Sequence, residues 1–399
     1  MYDLDLEAFE STYAFVEAGD YVVWALCGRR LPLKEHFKRS TQQAAFKACC
    51  VSGRQLITSQ TLRLVRPGIQ PADIDRINSE SKFDFVSPGT CVGKLGTTDI
   101  PIAVATIDAH AGAFGLGAFR KGRFVMVVGT SACFMLSSVV SPSSRFQSVK
   151  GAAGSIPDGI AQGLQGFEFG QAAAGDACAW LSRFTGIPLP QLDAHALGLL
   201  CRLASKGTEL ECWAVDHLNG CRSPLMDGDA RGSLRNLSLS TTPAHAFLAL
   251  IEALCFGIRV VIDMVRRHQV EIQDFVLAGG LAKSELFRIV LATVLNEPII
   301  VYEDGGDATS RGAAAYATLM TTTSPSTSKS TTTSKSTSMT TSQSSTSMAT
   351  SQGGQDSVLA RFIPRTFIRV LPSAEQRKVI GDDRRFARYV EAANVKSFL

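Results

Sequence analysis

The sequence of 399 residues contains no long run of charges of one sign and no long run of apolar residues. Its 40 Lys and Arg residues nearly balance 36 Asp and Glu residues, so the net charge of +4 indicates no nucleic acid or charged membrane surface as a partner. No apolar stretch approaches the length of a bilayer-spanning helix. The N-terminal stretch MYDLDLEAFEST lacks the basic and apolar regions of a signal peptide. We therefore predict a cytoplasmic protein that binds neither nucleic acid nor membrane.

Several common binding motifs are also missing. The ten cysteines include no C-x-x-C pair and no Cys/His cluster at zinc-ligand spacing, which favours reduced, mostly buried thiols and predicts no metal site built by the protein. There is no phosphate loop of the form G-x-x-x-x-G-K-[ST]. Gly112, Gly115 and Gly117 do not form a dinucleotide fingerprint, because they fall inside a predicted helix.

What the sequence does contain is the pattern of an α/β domain. Hydrophobic residues make up 45% of the chain, enough for a large packed core. From Pro101 onward, short apolar runs alternate with helical stretches. The predicted strands are IPIAVAT, RFVMVVG, ACFMLSS, GIAQGL, FVLA and PIIVY. The predicted helices are residues 3–28, DAHAGAFGLGA, EFGQAAAGDACAWLSRF, a long helix that begins at Thr242 and Pro243, KSELFRIVLATVL and ATSRGAAAYATLM.

A low-complexity segment follows these elements. Between Thr321 and Ser351, 24 of the 31 residues are Ser or Thr, so burial of apolar groups cannot offset the chain entropy. We predict a disordered insertion over residues 321–355. Helical periodicity resumes near Ala374, which predicts a helical tail over residues 356–399.

Three side chains are candidates for chemistry, each with a simpler structural interpretation. Asp108 stands at the start of the DAHAGAFGLGA helix, where it can cap the helix or face a crevice bordered by the small residues that follow. Glu168 would open the EFGQAAAGD helix and can compensate the helix dipole. Lys47 can extend its ammonium group to solvent. His110 is most simply a structural histidine, and we assign it no role.

Two glycine-containing turns are candidates for phosphate binding. The turn of Gly129, Thr130 and Ser131 lies between two predicted strands and offers backbone N–H groups and hydroxyls to an oxyanion, although it can also be an ordinary hairpin turn. Gly279 and Gly280 lie between a strand and a helix N-terminus. Such a turn lets the backbone approach a phosphate, and it can equally serve close packing.

The order of these stretches resembles that of the FGGY carbohydrate kinases over nearly all of residues 12–320. The resemblance is carried by Lys47 and by IDAHAGAFGLGA, VVGTSAC, GFEFGQAAAGD, DHLNGCRSP, LAGGLAKSE and SRGAAAYA. Within that family, Asp-Ala-His-x-Gly, Glu-x-Gly-Gln-x-Ala-x-Gly-Asp and Asp-x-x-Asn-Gly-x-Arg-x-Pro are more similar to ribulokinases than to glycerol or xylulose kinases. The resemblance implies an ATP-dependent sugar kinase that phosphorylates L-ribulose in L-arabinose catabolism.

The resemblance also implies an architecture. These kinases have the α/β, actin-like ATPase fold, with two ribonuclease H-like domains around a cleft. We expect residues 1–94 to be the remnant of a truncated first domain, because only fourteen residues precede the segment FVEAGDYVVWALCG and none of them resembles the family's Asp-x-Gly-[ST] motif. We expect residues 95–320 to form a complete second, nucleotide-binding domain. The surface that a missing first domain would leave open favours homo-oligomers.

The family's sugar-binding residues can be carried over to this sequence. Asp108 matches the catalytic base that takes the proton from the primary hydroxyl of the sugar. Lys47 and Glu168 match residues that bind sugar hydroxyls. These assignments come from the resemblance alone.

The family's ATP-binding residues can be carried over in the same way. Gly129, Thr130 and Ser131 match the backbone loop at the ATP phosphates, and Gly279 and Gly280 match the turn beside adenosine and the α-phosphate. ATP and Mg²⁺ are the expected co-substrate and metal. Two alternatives stay open, namely a catalytically inactive module that binds nucleotides or partners, and a kinase for another ketose or polyol.

Overall fold

A computed structural model of the chain describes most of the residues outside the Ser/Thr-rich segment. The described residues are 6–12, 16–47, 50–51, 54–55, 63, 67–68, 70, 73, 83–139, 149–303, 305–322 and 356–399. Apart from its first two residues, the predicted disordered insertion lies outside them. None of the helices in these ranges combines the length and apolarity needed to cross a bilayer.

The chain folds as two compact units. The first comprises Met1–Ile107 and Ser310–Ile363, and the second comprises Asp108–Thr309 and Pro364–Leu399. The domain limits expected at residues 94 and 320 stay predictions. The eight cysteines that the structure describes with their side chains are free thiols, as expected.

The first unit consists of short elements. Its helices are Leu6–Ser11, Ala18–Leu26, Leu33–His36 and Thr41–Phe46, together with most of Ala308–Thr322. Its strands pair two by two, Lys38–Ser40 with Asp84–Val86, Cys50–Val51 with Arg54–Gln55, and Cys91–Lys94 with Pro101–Ala103.

Two expectations for the first unit need correction. The helix predicted over residues 3–28 is two helices, because Glu17 has extended backbone angles (φ −67°, ψ 142°) at the start of the second one. That second helix ends at Leu26, before Gly28, whose φ of 85° is left-handed. The strand predicted over IPIAVAT is limited to Pro101–Ala103.

The second unit is built on a seven-stranded sheet. In chain order its strands are β1 Arg123–Val128, β2 Ala132–Ser138, β3 Gly154–Pro157, β4 Gln165–Gln171, β5 Asp274–Ala278, β6 Ile299–Tyr302 and β7 Phe367–Val370. Their order across the sheet is β7-β6-β5-β1-β2-β4-β3. Strands β1, β5 and β6 are parallel, whereas β2 pairs antiparallel with both β1 and β4. This is the ribonuclease H-like arrangement, so the expected α/β fold is confirmed.

The second unit also contains the helices α1 Asp108–Ala113, α2 Gly175–Thr185, α3 Leu189–Lys206, α4 Pro243–Arg267, α5 Glu285–Leu295, α7 Ala374–Arg377 and α8 Asp383–Ala392. Helix α6, Ala308–Thr322, lies mostly in the first unit. A π-helical turn, Phe114–Ala118, continues α1, and 3₁₀ turns cover Gly280–Lys283, Gly305–Asp307, Ala360–Phe362 and Lys396–Phe398. A short ribbon pairs Trp213–Val215 with Ser233–Arg235.

The core of the second unit forms around α4. This helix begins after Thr242 with Pro243 at its first position, as predicted, and the Thr242 amide donates to His245 Nδ1 at 3.3 Å. Of its 25 residues, 17 are buried, so α4 contacts the protein on more than one face. Aromatic side chains from the sheet fill the same core, including Phe124, Phe134, Phe167 and Phe169.

Three predictions for the second unit are wrong. Glu168 does not open a helix but lies in strand β4, and α2 begins only at Gly175. The reason is the alternation around it, because Phe167 and Phe169 are fully buried with stacked rings while Glu168 faces the other side of the sheet. The segment GIAQGL is a turn region between β3 and β4. The tail is not only helical, since β7 pairs antiparallel with β6 before α7 and α8 begin.

Candidate active site

A pocket of about 600 Å³ lies at the carboxyl ends of the parallel strands of the second unit. Ligands of open α/β sheets usually bind at this edge, and the volume falls within the range of about 300–1000 Å³ typical of small-molecule sites. The strand ends contribute Val127, Ala278 and Tyr302 to its wall, and α1 contributes Ala109 and Gly112. The remaining lining residues are Leu116, Gly279, Gly280, Ala282, Lys283, Arg288, Val301, Glu303, Gly305, Gly306, Ala308, Thr309 and Ile368.

The turn of Gly279 and Gly280 borders this pocket. Gly279 has φ 92° and ψ −172°, a conformation that only glycine adopts readily, and a Cβ there would lie 2.5 Å from the Val128 carbonyl oxygen. The turn leads through Lys283 into helix α5, which is capped by Ser284 through a 3.0 Å bond from the Phe287 amide. A helix N-terminus and a lysine both favour an anionic ligand.

The turn of Gly129, Thr130 and Ser131 connects β1 to β2 and is held by the start of α2. The Gly175 amide donates to the Gly129 carbonyl at 2.9 Å, and the Ala174 amide donates to the Thr130 carbonyl at 2.9 Å. Thr130 and Ser131 are exposed. None of the three is among the residues that line the pocket, but the turn begins directly after Val128, which Gly279 contacts.

Asp108 is the first residue of α1 and is exposed. Its Oδ1 accepts a 2.8 Å hydrogen bond from the Ala109 amide, so the carboxylate remains at the N-terminal end of the helix, where the dipole favours a negative charge. Ala109 and Gly112 on the same helix line the pocket. Asp108 therefore directly precedes a residue of the pocket wall, and its carboxylate has access to solvent.

Glu168 lies next to α1 although it belongs to β4. Its carboxylate is only 14% exposed and lies 3.4 Å from His110 Nε2, measured from Oε2. Its Oε1 is 3.6 Å from Cys133 Sγ and 3.9 Å from an Arg222 guanidinium nitrogen. The structure thus brings Asp108 and Glu168 to one end of the second unit, because His110 follows Asp108 on the same helix.

His110 and Arg222 were not assigned a role from the sequence. Both lie in stretches that carry the family resemblance, DAHAGAFGLGA and DHLNGCRSP. Their place in these stretches is the sequence feature that could have indicated a role at the site. The second stretch is fixed by Asp216, which is buried and accepts hydrogen bonds from the Tyr389 hydroxyl at 2.7 Å and from Gln171 Nε2 at 2.8 Å. This anchoring fixes the start of the stretch that contains Arg222.

Lys47 belongs to the first unit, whereas the other candidate residues belong to the second. It is exposed and directly follows the helix Thr41–Phe46, where its amide donates to the Gln43 carbonyl at 2.9 Å. Gln42 anchors that helix, because its Oε1 accepts from Thr106 Oγ1 at 2.7 Å and from the Ile107 amide at 2.8 Å. The backbone before Lys47 is therefore well fixed within its own unit.

No protein-built metal centre is present in the part of the chain that the structure describes. There, no group of three or more His, Cys, Asp or Glu side chains is arranged to hold an ion. Mg²⁺ in phosphate-transfer sites usually needs only one or two carboxylates, because the substrate phosphates and water complete its coordination. The exposed Asp108 carboxylate is compatible with that arrangement.

Comparisons with known proteins agree with the geometry. Residues 124–321 match the model for the C-terminal domain of the FGGY family of carbohydrate kinases. The chain is 29% identical over 331 residues to a ribulokinase from Bacillus licheniformis, with 78% of this chain and 57% of that protein covered. It is 31% identical over 340 residues to a ribulokinase from Shouchella clausii, with 80% and 57% covered.

The solved structures show the same fold. A xylulose kinase from Rhodospirillum rubrum superposes with a TM-score of 0.68 at 18% identity, and the likeness covers 99% of this chain and 70% of that one. The actin-like ATPase fold is thereby confirmed. The chain spans little more than half the length of the two ribulokinases it matches.

Proposed function

Because the chain belongs to the FGGY family of carbohydrate kinases, we propose that it transfers the γ-phosphoryl group of ATP to the primary hydroxyl of L-ribulose. One observation carries this proposal. A pocket of nucleotide size is bordered by a glycine turn and a helix N-terminus, and Asp108, whose carboxylate has access to solvent, directly precedes a residue of its wall. A phosphate donor and a general base are the two parts that phosphorylation of an alcohol requires.

In the proposed reaction, Asp108 accepts the proton of the primary hydroxyl while the hydroxyl oxygen attacks the γ-phosphorus. The new bond joins that oxygen to phosphorus, and the bond to the oxygen that bridges the β- and γ-phosphorus atoms breaks, so ADP leaves. Positioning and charge stabilisation provide most of the catalysis in such transfers. The short hydrogen bond from the Ala109 amide holds the carboxylate in place for this role.

The nucleotide would occupy the pocket along the glycine turns. The amides of the turn at Gly279 and Gly280 and the N-terminus of α5 suit the α-phosphate end of the ligand. Lys283 and Arg288 add positive charge to the pocket wall. The exposed amides and hydroxyls of Thr130 and Ser131 suit the outer phosphates.

Mg²⁺ would be held mainly by the triphosphate, with Asp108 as the available carboxylate. When bound, it would supply positive charge that offsets the negative charge developing on the phosphate oxygens. The proton transfer and the placement of the acceptor oxygen rest on residues of this chain.

L-Ribulose is the proposed acceptor because the curated relatives reported above are ribulokinases at 29% and 31% identity. We propose that Lys47 and Glu168 bind hydroxyls of the sugar. Glu168 suits that role because its carboxylate is surrounded by donors yet keeps partial access to solvent. A carboxylate that is already oriented can accept further hydrogen bonds from hydroxyl groups.

The test is a coupled assay for ADP release with Mg·ATP and a panel of L-ribulose, D-xylulose and glycerol, run beside calorimetric titration of ATP. The proposal expects the highest kcat/KM with L-ribulose. A higher value with another acceptor would replace the proposed substrate. ATP binding without sugar-dependent turnover would instead favour a nucleotide-binding module.

A further inference from the structure

We propose that His110 is a positioning residue that orients the Glu168 carboxylate and ties it to the helix that carries Asp108. The proposal rests on the proposed function, because it concerns the same sugar site. It adds a residue with no assigned role so far and a specific contact through which that residue acts.

The contact joins two elements that the sequence separates widely. His110 lies on α1, two positions after Asp108, and is 1% exposed. Its Nε2 is 3.4 Å from Glu168 Oε2, a distance at which a protonated imidazole forms an ion pair with a carboxylate. Glu168 is in the middle of β4, so this contact links the first turn of α1 to the sheet.

Among the residues that the structure describes near the Glu168 carboxylate, His110, Cys133 and Arg222 differ in how firmly they are held. Cys133 from β2 lies at 3.6 Å, and a thiol is a weak donor. Arg222 from the loop before Pro224 lies at 3.9 Å, and its side chain is 42% exposed. The His110 side chain is 2% exposed and therefore fixed by packing. Among these groups, the imidazole is the one that can hold the carboxylate in a single orientation.

The composition of α1 gives the contact a second effect. Between Asp108 and Phe114 the helix consists of Ala and Gly apart from His110. Small side chains let the helix approach the sheet closely but interlock little with it. The larger side chain of His110 therefore largely determines how the first turn of α1 packs on the sheet. A change at His110 should therefore shift the Asp108 carboxylate relative to Glu168.

Kinetics separate this role from a general effect on folding. His110→Leu removes the nitrogen, whereas His110→Gln keeps an N–H donor at a similar distance from the backbone. We expect His110→Leu to raise KM for the sugar at least tenfold with KM for ATP within twofold of wild type. We expect His110→Gln to recover most of the sugar KM. Equal loss in both variants would contradict the proposal.

A second measurement does not depend on turnover. The chain has six histidines, so the imidazole resonances can be titrated by NMR, and His110→Gln identifies the signal of His110. A carboxylate this close favours the charged imidazole, so we expect the midpoint of the His110 titration to fall in Glu168→Gln and to fall less in Glu168→Asp, which keeps the charge. His245 and His268 make local contacts within or next to α4 and serve as internal controls.

The outcomes can be told apart. A His110 resonance that behaves identically in wild type, Glu168→Gln and Glu168→Asp would overturn the positioning role, even if the enzyme turns over. The expected shift without sugar-dependent turnover would support the contact and count against the proposed function alone.

Discussion

Gly279 lies so close to the end of strand β1 that a Cβ at this position would be 2.5 Å from the Val128 carbonyl oxygen. The contact places the glycine turn against the strand that leads into the Gly129, Thr130 and Ser131 turn. The two turns of the proposed ATP site are therefore brought close to each other at the end of β1.

The first prediction concerns this approach. Gly279→Ala should lower the free energy of unfolding by about 1–3 kcal/mol, because backbone atoms must move to admit the methyl group. It should also weaken ATP binding at least tenfold. Gly280→Ala is the matched control for unfolding, since a Cβ there meets nothing within 4 Å. Urea denaturation and calorimetry measure the two effects, and equal destabilisation by both variants would contradict the account.

The second prediction concerns the tail. Arg385 on α8 pairs with Glu252 on α4, with side chains 2% and 1% exposed, and its Nε lies 2.7 Å from Glu252 Oε1. Arg385→Met should lower the free energy of unfolding by about 3–5 kcal/mol, because it leaves a buried carboxylate without its partner. Urea denaturation of the full chain measures the change.

Two further variants test the cause of that loss. Arg384→Met removes a neighbouring arginine whose side chain is 71% exposed, so little change is expected. The double variant Glu252→Leu with Arg385→Met should be more stable than Arg385→Met alone, because no buried charge remains. A double variant that is less stable would show that packing, rather than the unpaired charge, causes the loss.

The third prediction is a pH dependence in the first unit. Burial raises the pKa of Asp20 to about 7 from 3.8, against the opposing effects of the Ser40 amide and Arg39. Between these two pH values the native state therefore retains a proton that the unfolded chain has released. The contribution of protonated Asp20 to the free energy of unfolding is fully present below pH 3.8 and is lost as pH rises through about 7.

The corresponding variant is Asp20→Asn, which should flatten the decrease in unfolding free energy between about pH 4 and 7. Asp99→Asn serves as the control, because that carboxylate is 97% exposed beside Lys94. Chemical denaturation at several pH values gives the slopes. A slope that is the same in wild type and Asp20→Asn would show that Asp20 does not carry the effect.

Much of the second unit could be predicted from local sequence. The runs RFVMVVG and ACFMLSS are continuous and apolar, and the Gly-Thr-Ser turn between them leaves a hairpin as the simplest interpretation. The start of α4 was equally clear, because Thr242 and Pro243 are typical of a helix N-terminus. These features depend on neighbouring residues only.

The errors arose where tertiary pairing outweighs local composition. The alanines after Gln171 favour a helix, and the predicted helix therefore included Glu168. Residues 165–171 form a strand instead, because they pair with β2 and β3. Strand β7 was missed because its four residues are mostly exposed and form a strand only beside β6.

The surroundings of Glu168 could not be predicted for a related reason. His110, Cys133 and Arg222 come from a helix, a strand and a loop that are distant in the sequence. Their convergence follows from the order of strands in the sheet and from the buried bonds of Asp216, neither of which leaves a periodic pattern. The sequence resemblance proposes Asp108 and Glu168 as site residues, but it gives no role to His110, Cys133 or Arg222.

The most direct test of the central claim is transfer of label from [γ-³²P]ATP to L-ribulose. The account predicts labelled sugar phosphate with wild type and with Asp99→Asn, and a rate about 10²–10⁴-fold lower with Asp108→Asn, the usual contribution of a general base. Labelled inorganic phosphate without sugar phosphate, or equal transfer by Asp108→Asn and wild type, would contradict it.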